Sequence, residues 1–167
     1  IHTYETDDAE TIVIAMGSVL GTIKDTVDAM RAAGHRIGVL GITSYRPFPL
    51  AAVAAALKHC KRFVVLEKSL AVGIGGIVAT DVRMAVTGMG LKGFTVVAGL
   101  GGRAITVKSL TALFEKAMRE DLDLLTFLDL DWNAVNKQLE REKANRRSGP
   151  VAEALLRDVG VVGSRNY

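Results

Sequence analysis

With 167 residues, 49% of them hydrophobic and 23% charged, the chain has the size and composition of one globular domain that buries a core without staples, which excludes general disorder. Its net charge of +3 and its 5% aromatic content argue against a nucleic-acid surface, which needs clustered cations and stacking rings. Cys60 is the single cysteine, so an internal disulfide is excluded, and so is a self-contained iron–sulfur cluster, which takes about four thiolates.

A lone cysteine suits a reducing compartment. No apolar run approaches the ~20 residues that cross a bilayer. A cytoplasmic protein without membrane contact is therefore expected. The chain begins at Ile1 rather than Met, as expected for a fragment or a processed chain.

Residues 11–16 (TIVIAM) form a β-branched run that stops at Gly17 and Ser18. Val19, Leu20, Ile23, Val27 and Met30 then recur at helical spacing, so the segment predicts strand, tight turn and helix, with Gly34 as the stop. Residues 37–42 predict a second strand. The segment Tyr45, Arg46, Pro47, Phe48 and Pro49 breaks the pattern, and Pro49 suits the first turn of an Ala-rich helix over residues 50–59.

A third strand over residues 62–66 has the continuous apolar character of strands buried on both faces. Glu67, Lys68 and Ser69 end it, and Gly73, Gly75 and Gly76 open onto a helix over residues 77–86. Residues 94–98 predict a fourth strand, followed by Gly99, Gly101, Gly102 and Arg103. Thr106 is placed to cap a helix over residues 107–119. Four strand–helix alternations with short connections predict an open, mostly parallel twisted α/β sheet with helices on both faces over residues 1–120.

Residues 121–167 read as a C-terminal extension or arm. Residues 124–130 fit either a last strand or an extended segment. Residues 132–145 predict a charged amphipathic helix, and 150–159 a short one. The arm is expected to pack on the domain or on a partner.

A glycine turn before a helix offers free N–H groups and a favourable dipole to anions. Gly73, Gly75 and Gly76, and Gly101, Gly102 and Arg103, are accordingly candidate anion or cofactor contacts. Neither turn carries a dinucleotide or Walker fingerprint, and each glycine equally suits a tight turn alone. Tyr45, Arg46, Pro47 and Phe48 lie at a strand's carboxyl end, where open α/β sheets place their contacts. They are candidate interface residues, or else core anchors with Arg46 pairing a local acid. Glu67 reads as a partner-binding carboxylate or a general base, against the plainer reading of a residue solvated or paired with Lys68. His2, His35 and His59 lack metal-ligand spacing. No nucleophile elbow is present, so no catalytic residue is assigned.

The ordered series VIAMGS (13–18), SYRPFP (44–49), VVLEKS (64–69) and AGLGGR (98–103) resembles the transketolase C-terminal-like domain of 2-oxoacid:ferredoxin oxidoreductase α chains. The end of the chain, RRSGPVAEALLRDVG (146–160), is similar to the α subunits of multi-subunit pyruvate enzymes. The resemblance implies a complex that uses thiamine diphosphate, iron–sulfur clusters and coenzyme A to convert a 2-oxoacid to an acyl-CoA and reduce ferredoxin. In that complex this domain would support assembly with other domains and subunits and hold no cofactor itself. VVLEKS before GIGG also resembles transketolase and 2-oxoacid dehydrogenase E1 β domains, and a free-standing nucleotide-binding module is the third reading.

Overall fold

In the computed structural model, which describes residues 1–145, six strands form one sheet in the order β1-β3-β2-β4-β5-β6. They are β1 (His2–Tyr4), β2 (Thr11–Ala15), β3 (Ile37–Gly41), β4 (Arg62–Glu67), β5 (Lys92–Val97) and β6 (Leu125–Phe127). All neighbours run parallel except β1, which pairs antiparallel with β3. The expected four strand–helix units are present, with α1 (Val19–Ala32), α2 (Leu50–Leu57), α3 (Ile77–Ala85) and α4 (Val107–Met118). The short helix expected at 150–159 lies outside the described residues.

Every residue of β2 and β3 is buried, because both faces of these strands are covered. Alternation along the strands divides the core in two. Val13, Val64, Phe94 and Val96 meet α1 and α4 on one face, while Ile12, Ile14, Phe63 and Val65 meet α2 and α3 on the other. Phe63, Phe94 and Phe114 are the largest fully buried side chains, and each aliphatic or aromatic side chain so buried contributes roughly 1.5–3 kcal/mol.

The crossovers through α1, α2 and α3 share one hand. That through α4 has the opposite hand, since it uses the face of α1 while stepping along the sheet in the other direction. Such a step is rare. It leaves β6 only partly covered, with Leu125 exposed and Thr126 and Phe127 half-buried.

The chain divides into two compact units, Ile1–Asp129 and Leu130–Tyr167. The first extends past the residue-120 boundary expected from sequence because β6 joins the sheet through Thr95, Val96 and Val97. Within the second, α5 (Trp132–Asn145) is the expected polar helix, and its Ala134 N–H donates to Asp131 Oδ1 at 3.1 Å.

Candidate functional site: the carboxyl edge of the sheet

Between β2 and β4 the connections diverge, one leading through α1 to β3 and the other through α3 to β5. Open α/β sheets place ligands and contacts at such a reversal. A cavity of about 310 Å³ lies there, lined by Met16, Gly17, Ser18, Glu67, Lys68 and Ile105 among others. Ser18 starts α1 without a side-chain cap, and the first turn of α1 carries no acid. Lys68 and Arg103 line the adjoining hollow of about 200 Å³ together with Ser18, so this corner is electropositive. Arg103 also ties the edge together, donating from Nη1 to the Asp129 carbonyl at 2.7 Å.

Glu67 is only 8% exposed. Its Oε2 accepts from Val78 N–H at 2.9 Å and its Oε1 from Ala79 N–H at 3.0 Å. The side chain is therefore neither solvated nor paired with Lys68. It caps α3 from the neighbouring strand, supplying acceptors that the helix start lacks and a negative charge at the positive end of its dipole. Gly76 is required for this approach, since a Cβ there would overlap Glu67 Oε1.

The two N–H groups that a phosphate at α3 would use are thus occupied. Gly73 and Gly75 close a tight turn in which Ala71 and Gly75 exchange backbone hydrogen bonds of 2.8 Å. Gly101 and Gly102, at φ 65° and 77°, hold a single 3₁₀ turn in the left-handed region that side chains resist. Beyond it Thr106 Oγ1 accepts from Ser109 N–H at 3.1 Å and caps α4.

Tyr45 and Phe48 meet edge-to-face with centroids 6.1 Å apart, and both pack on the α2/α3 core. Arg46 stacks 3.8 Å from the Tyr45 ring centre. It donates to Tyr45 Oη at 3.0 Å and to Asp81 Oδ2 at 2.9 Å. The Asp81 side chain is 13% exposed and that of Arg46 57%, so the pair joins the loop after β3 to α3 while the cation keeps an open side. Burial, together with the hydrogen bond to Asp81, raises the Tyr45 hydroxyl above its usual pKa. Pro47 follows a cis peptide bond. The structure therefore brings Tyr45, Arg46 and Phe48 together with Asp81, midway along α3, and places Glu67 at the start of that helix. Asp81 was invisible in sequence because its partner lies 35 residues away.

Among the described residues no group of three or more potential ligands could hold a metal ion. Cys60 is buried and donates to the Leu57 carbonyl at 3.2 Å. One enclosed thiol does not fit an iron–sulfur cluster.

The family described as pyruvate:ferredoxin oxidoreductase core domain II matches residues 9–110. The chain is 40% identical over 124 residues to pyruvate synthase subunit PorA of Methanosarcina barkeri, which covers 71% of this chain and 30% of that one. It is 35% identical over 142 residues to PorA of Pyrococcus furiosus, covering 81% and 36%. To the ketoisovalerate oxidoreductase subunit VorA of Pyrococcus horikoshii it is 32% identical over 117 residues, covering 69% and 30%. It thus spans about a third of the length of the curated relatives it matches. A 2-oxoglutarate:ferredoxin oxidoreductase from Magnetococcus marinus, solved with 2-oxoglutarate, coenzyme A and succinyl-CoA bound, has the same fold, with a TM-score of 0.51 at 20% identity over 65% of this chain and 18% of that one. From the sequence motifs, the 1-3-2-4-5-6 sheet and these matches, the chain belongs to the pyruvate:ferredoxin oxidoreductase core domain II family.

Proposed function

We propose that this chain is the assembly domain of a 2-oxoacid:ferredoxin oxidoreductase, with pyruvate as the 2-oxoacid, and that it docks through the carboxyl edge of its sheet. Thiamine diphosphate, when bound elsewhere in such an enzyme, supplies the carbanion chemistry for decarboxylation; coenzyme A takes the acyl group, and clusters carry electrons to ferredoxin. This chain's residues position other polypeptides and contribute no reacting group.

The observation that carries the reading is where apolar surface is exposed. Val72 is 99% exposed, Ile74 68% and Leu100 48%, and all three lie in loops at the carboxyl ends of β4 and β5. Clustered exposed aliphatics mark interaction surfaces. Arg46, with its open side, and Arg103, beside Lys68, supply the cationic contacts at the rim of that surface.

Val72→Asp combined with Leu100→Asp, made in the assembled complex, is expected to release this chain while leaving its own melting temperature unchanged. Arg46→Ala with Arg103→Ala is expected to weaken assembly less. Full assembly and turnover with Val72→Asp and Leu100→Asp would sink the docking reading. Turnover of pyruvate by the purified chain alone, given thiamine diphosphate, coenzyme A and an electron acceptor, would sink the non-catalytic one.

A further inference from the structure

Arg83 lies in the last turn of α3 and turns onto the sheet. Its Nη2 donates to Thr95 Oγ1 at 2.9 Å and its Nη1 to the Gly93 carbonyl at 3.3 Å, and its Cζ lies 5.9 Å from the Phe63 ring centre. Gly93 makes room, since a Cβ there would press on both Phe63 and Arg83. Both acceptors are neutral. Among the described residues no carboxylate lies within ion-pair distance of Arg83. Asp81, on the same helix, is engaged by Arg46, and Glu67, on the same face of the sheet, spends both oxygens on α3. Partial burial alone pushes the guanidinium pKa down, with no compensating acid. A partly desolvated cation left in this state is costly unless a counter-charge arrives.

The same guanidinium lines a groove of about 570 Å³ between the 73–76 turn, α3 and the start of β6. Among the described residues it is the groove's only charged one, beside Ile74, Thr80, Thr95, Leu124 and Leu125. Its floor is Thr95 of β5, and beside it β6 is only partly covered. Its rim is aliphatic and open, with Leu124 68% and Leu125 37% exposed.

From this we infer that Arg83 is the anchor of a docking groove for an apolar polypeptide segment, from outside this chain, that carries one aspartate or glutamate side chain. A single cation suits one carboxylate, to which the planar guanidinium donates in parallel. A phosphorylated ligand would meet no second cation here, and it would find the α3 N–H groups taken. A source for the segment exists, since the named relatives are subunits and are about three times longer than the stretch this chain matches. The inference rests on the assembly reading above and adds the place and chemistry of one contact.

The test uses the full chain assembled with the remaining polypeptides of the oxidoreductase. Arg83→Met keeps the aliphatic packing and removes the charge. It is expected to leave the melting temperature of the full chain unchanged or raised while weakening assembly about 30-fold or more by sedimentation, as for loss of one member of a buried interfacial pair. Arg83→Lys is expected to restore part of that loss. A photoreactive residue in place of Leu124 is expected to crosslink, in the complex, to a peptide of another polypeptide that contains an acid flanked by aliphatics.

Unchanged assembly with Arg83→Met overturns the anchor. If Val72→Asp with Leu100→Asp still releases the chain, the docking reading survives without it; if neither set weakens assembly, both fall. A parallel fall in melting temperature and assembly with Arg83→Met, or a crosslink from position 124 only to this chain's own residues 130–167, would show an internal structural role instead.

Discussion

At the amino ends of the parallel strands, ion pairs within the chain gather, whereas most of the exposed aliphatic side chains lie at the carboxyl ends. Of the seven ion pairs among the described residues, six lie at the amino edge: Glu10 joins Arg36 and Lys61, Arg31 joins Glu5 and Asp8, and Glu120 joins Arg62 and Lys92. Only Arg46–Asp81 belongs to the other side. Leu50, Leu70, Val72, Ile74, Leu100 and Val107 are all exposed and all lie in carboxyl-edge loops or at the helix starts beside them. Isolated surface pairs contribute little each, but six gathered at one edge offset much of its charge; its exposed apolar side chains are fewer, with Leu124 and Leu125 at the start of β6 and Met84 in the last turn of α3. The carboxyl edge has one ion pair and more exposed aliphatics, as expected of a surface whose solvation is completed by another chain.

Glu67 is the exception on the open side, because it is a buried carboxylate that serves this chain's own fold. Its replacement gives the largest expected effect. Glu67→Ala leaves two α3 N–H groups without their acceptors and should cost about 3 kcal/mol in denaturant unfolding, while Glu67→Gln, which keeps one acceptor, should cost about half as much. A loss below about 1 kcal/mol for the alanine variant would mean that the carboxyl edge has no fixed point and that α3 is held by packing alone.

Cys60 probes how closed the amino edge is. Burial pushes its thiol up to about 11 from 9.0. The raised folded-state pKa means that the proton is held more tightly in the native chain, so the stability difference is fully present below pH 9. It is lost as pH rises from about 9 to about 11, where only the unfolded thiol ionises. On the order of 2 kcal/mol should disappear across that window, and Cys60→Ala should flatten this part of the profile. Rapid reaction of the native thiol with a maleimide at pH 7 would contradict the closed edge. Thr106→Ala, at the opposite edge, should cost about 1 kcal/mol through loss of the α4 cap, with no change in Cys60 reactivity.

Much of this asymmetry was hidden from sequence, for reasons that differ by residue. The four strand–helix units were legible because both faces of β2, β3 and β4 are buried, giving continuous apolar runs, and because α1 and α4 each present one apolar stripe. The three residues of β1 are too few to show a period, and their partner β3 lies more than thirty positions away. No strand was therefore expected there, although the His2 imidazole packs over Gly41. β6 was ambiguous for the same reason of length. Tyr45, Arg46 and Phe48 stood out by composition, and the reading of core anchors with a locally paired arginine describes their geometry. Arg83 carried no signal at all. An arginine in the last turn of a short helix looks solvated until the sheet residues beneath it, Gly93 and Thr95, are known to accept from it.

The smallest expected effect tests the amino edge directly. The Lys61 hydrogen bond, helped by the Arg36 charge, holds the Glu10 carboxyl below its ordinary range. Backbone bonds from Glu10 N–H to the Arg36 carbonyl and from Lys61 and Arg62 N–H to the Glu10 carbonyl fix the same corner. A folded-state pKa that is depressed contributes stability above the unfolded value and loses it as pH falls through the folded one. Glu10→Gln should therefore lower the melting temperature at pH 7 by less than Thr106→Ala does. The gap between variant and native chain should close below about pH 4, where the native carboxyl is also protonated. Salt should narrow it as well, since these groups face solvent. A gap that persists unchanged at low pH would show that the glutamine disturbs the backbone corner rather than the charges, and the amino edge would then owe its closure to the hydrogen bonds between β2, β3 and β4 instead of its ion pairs.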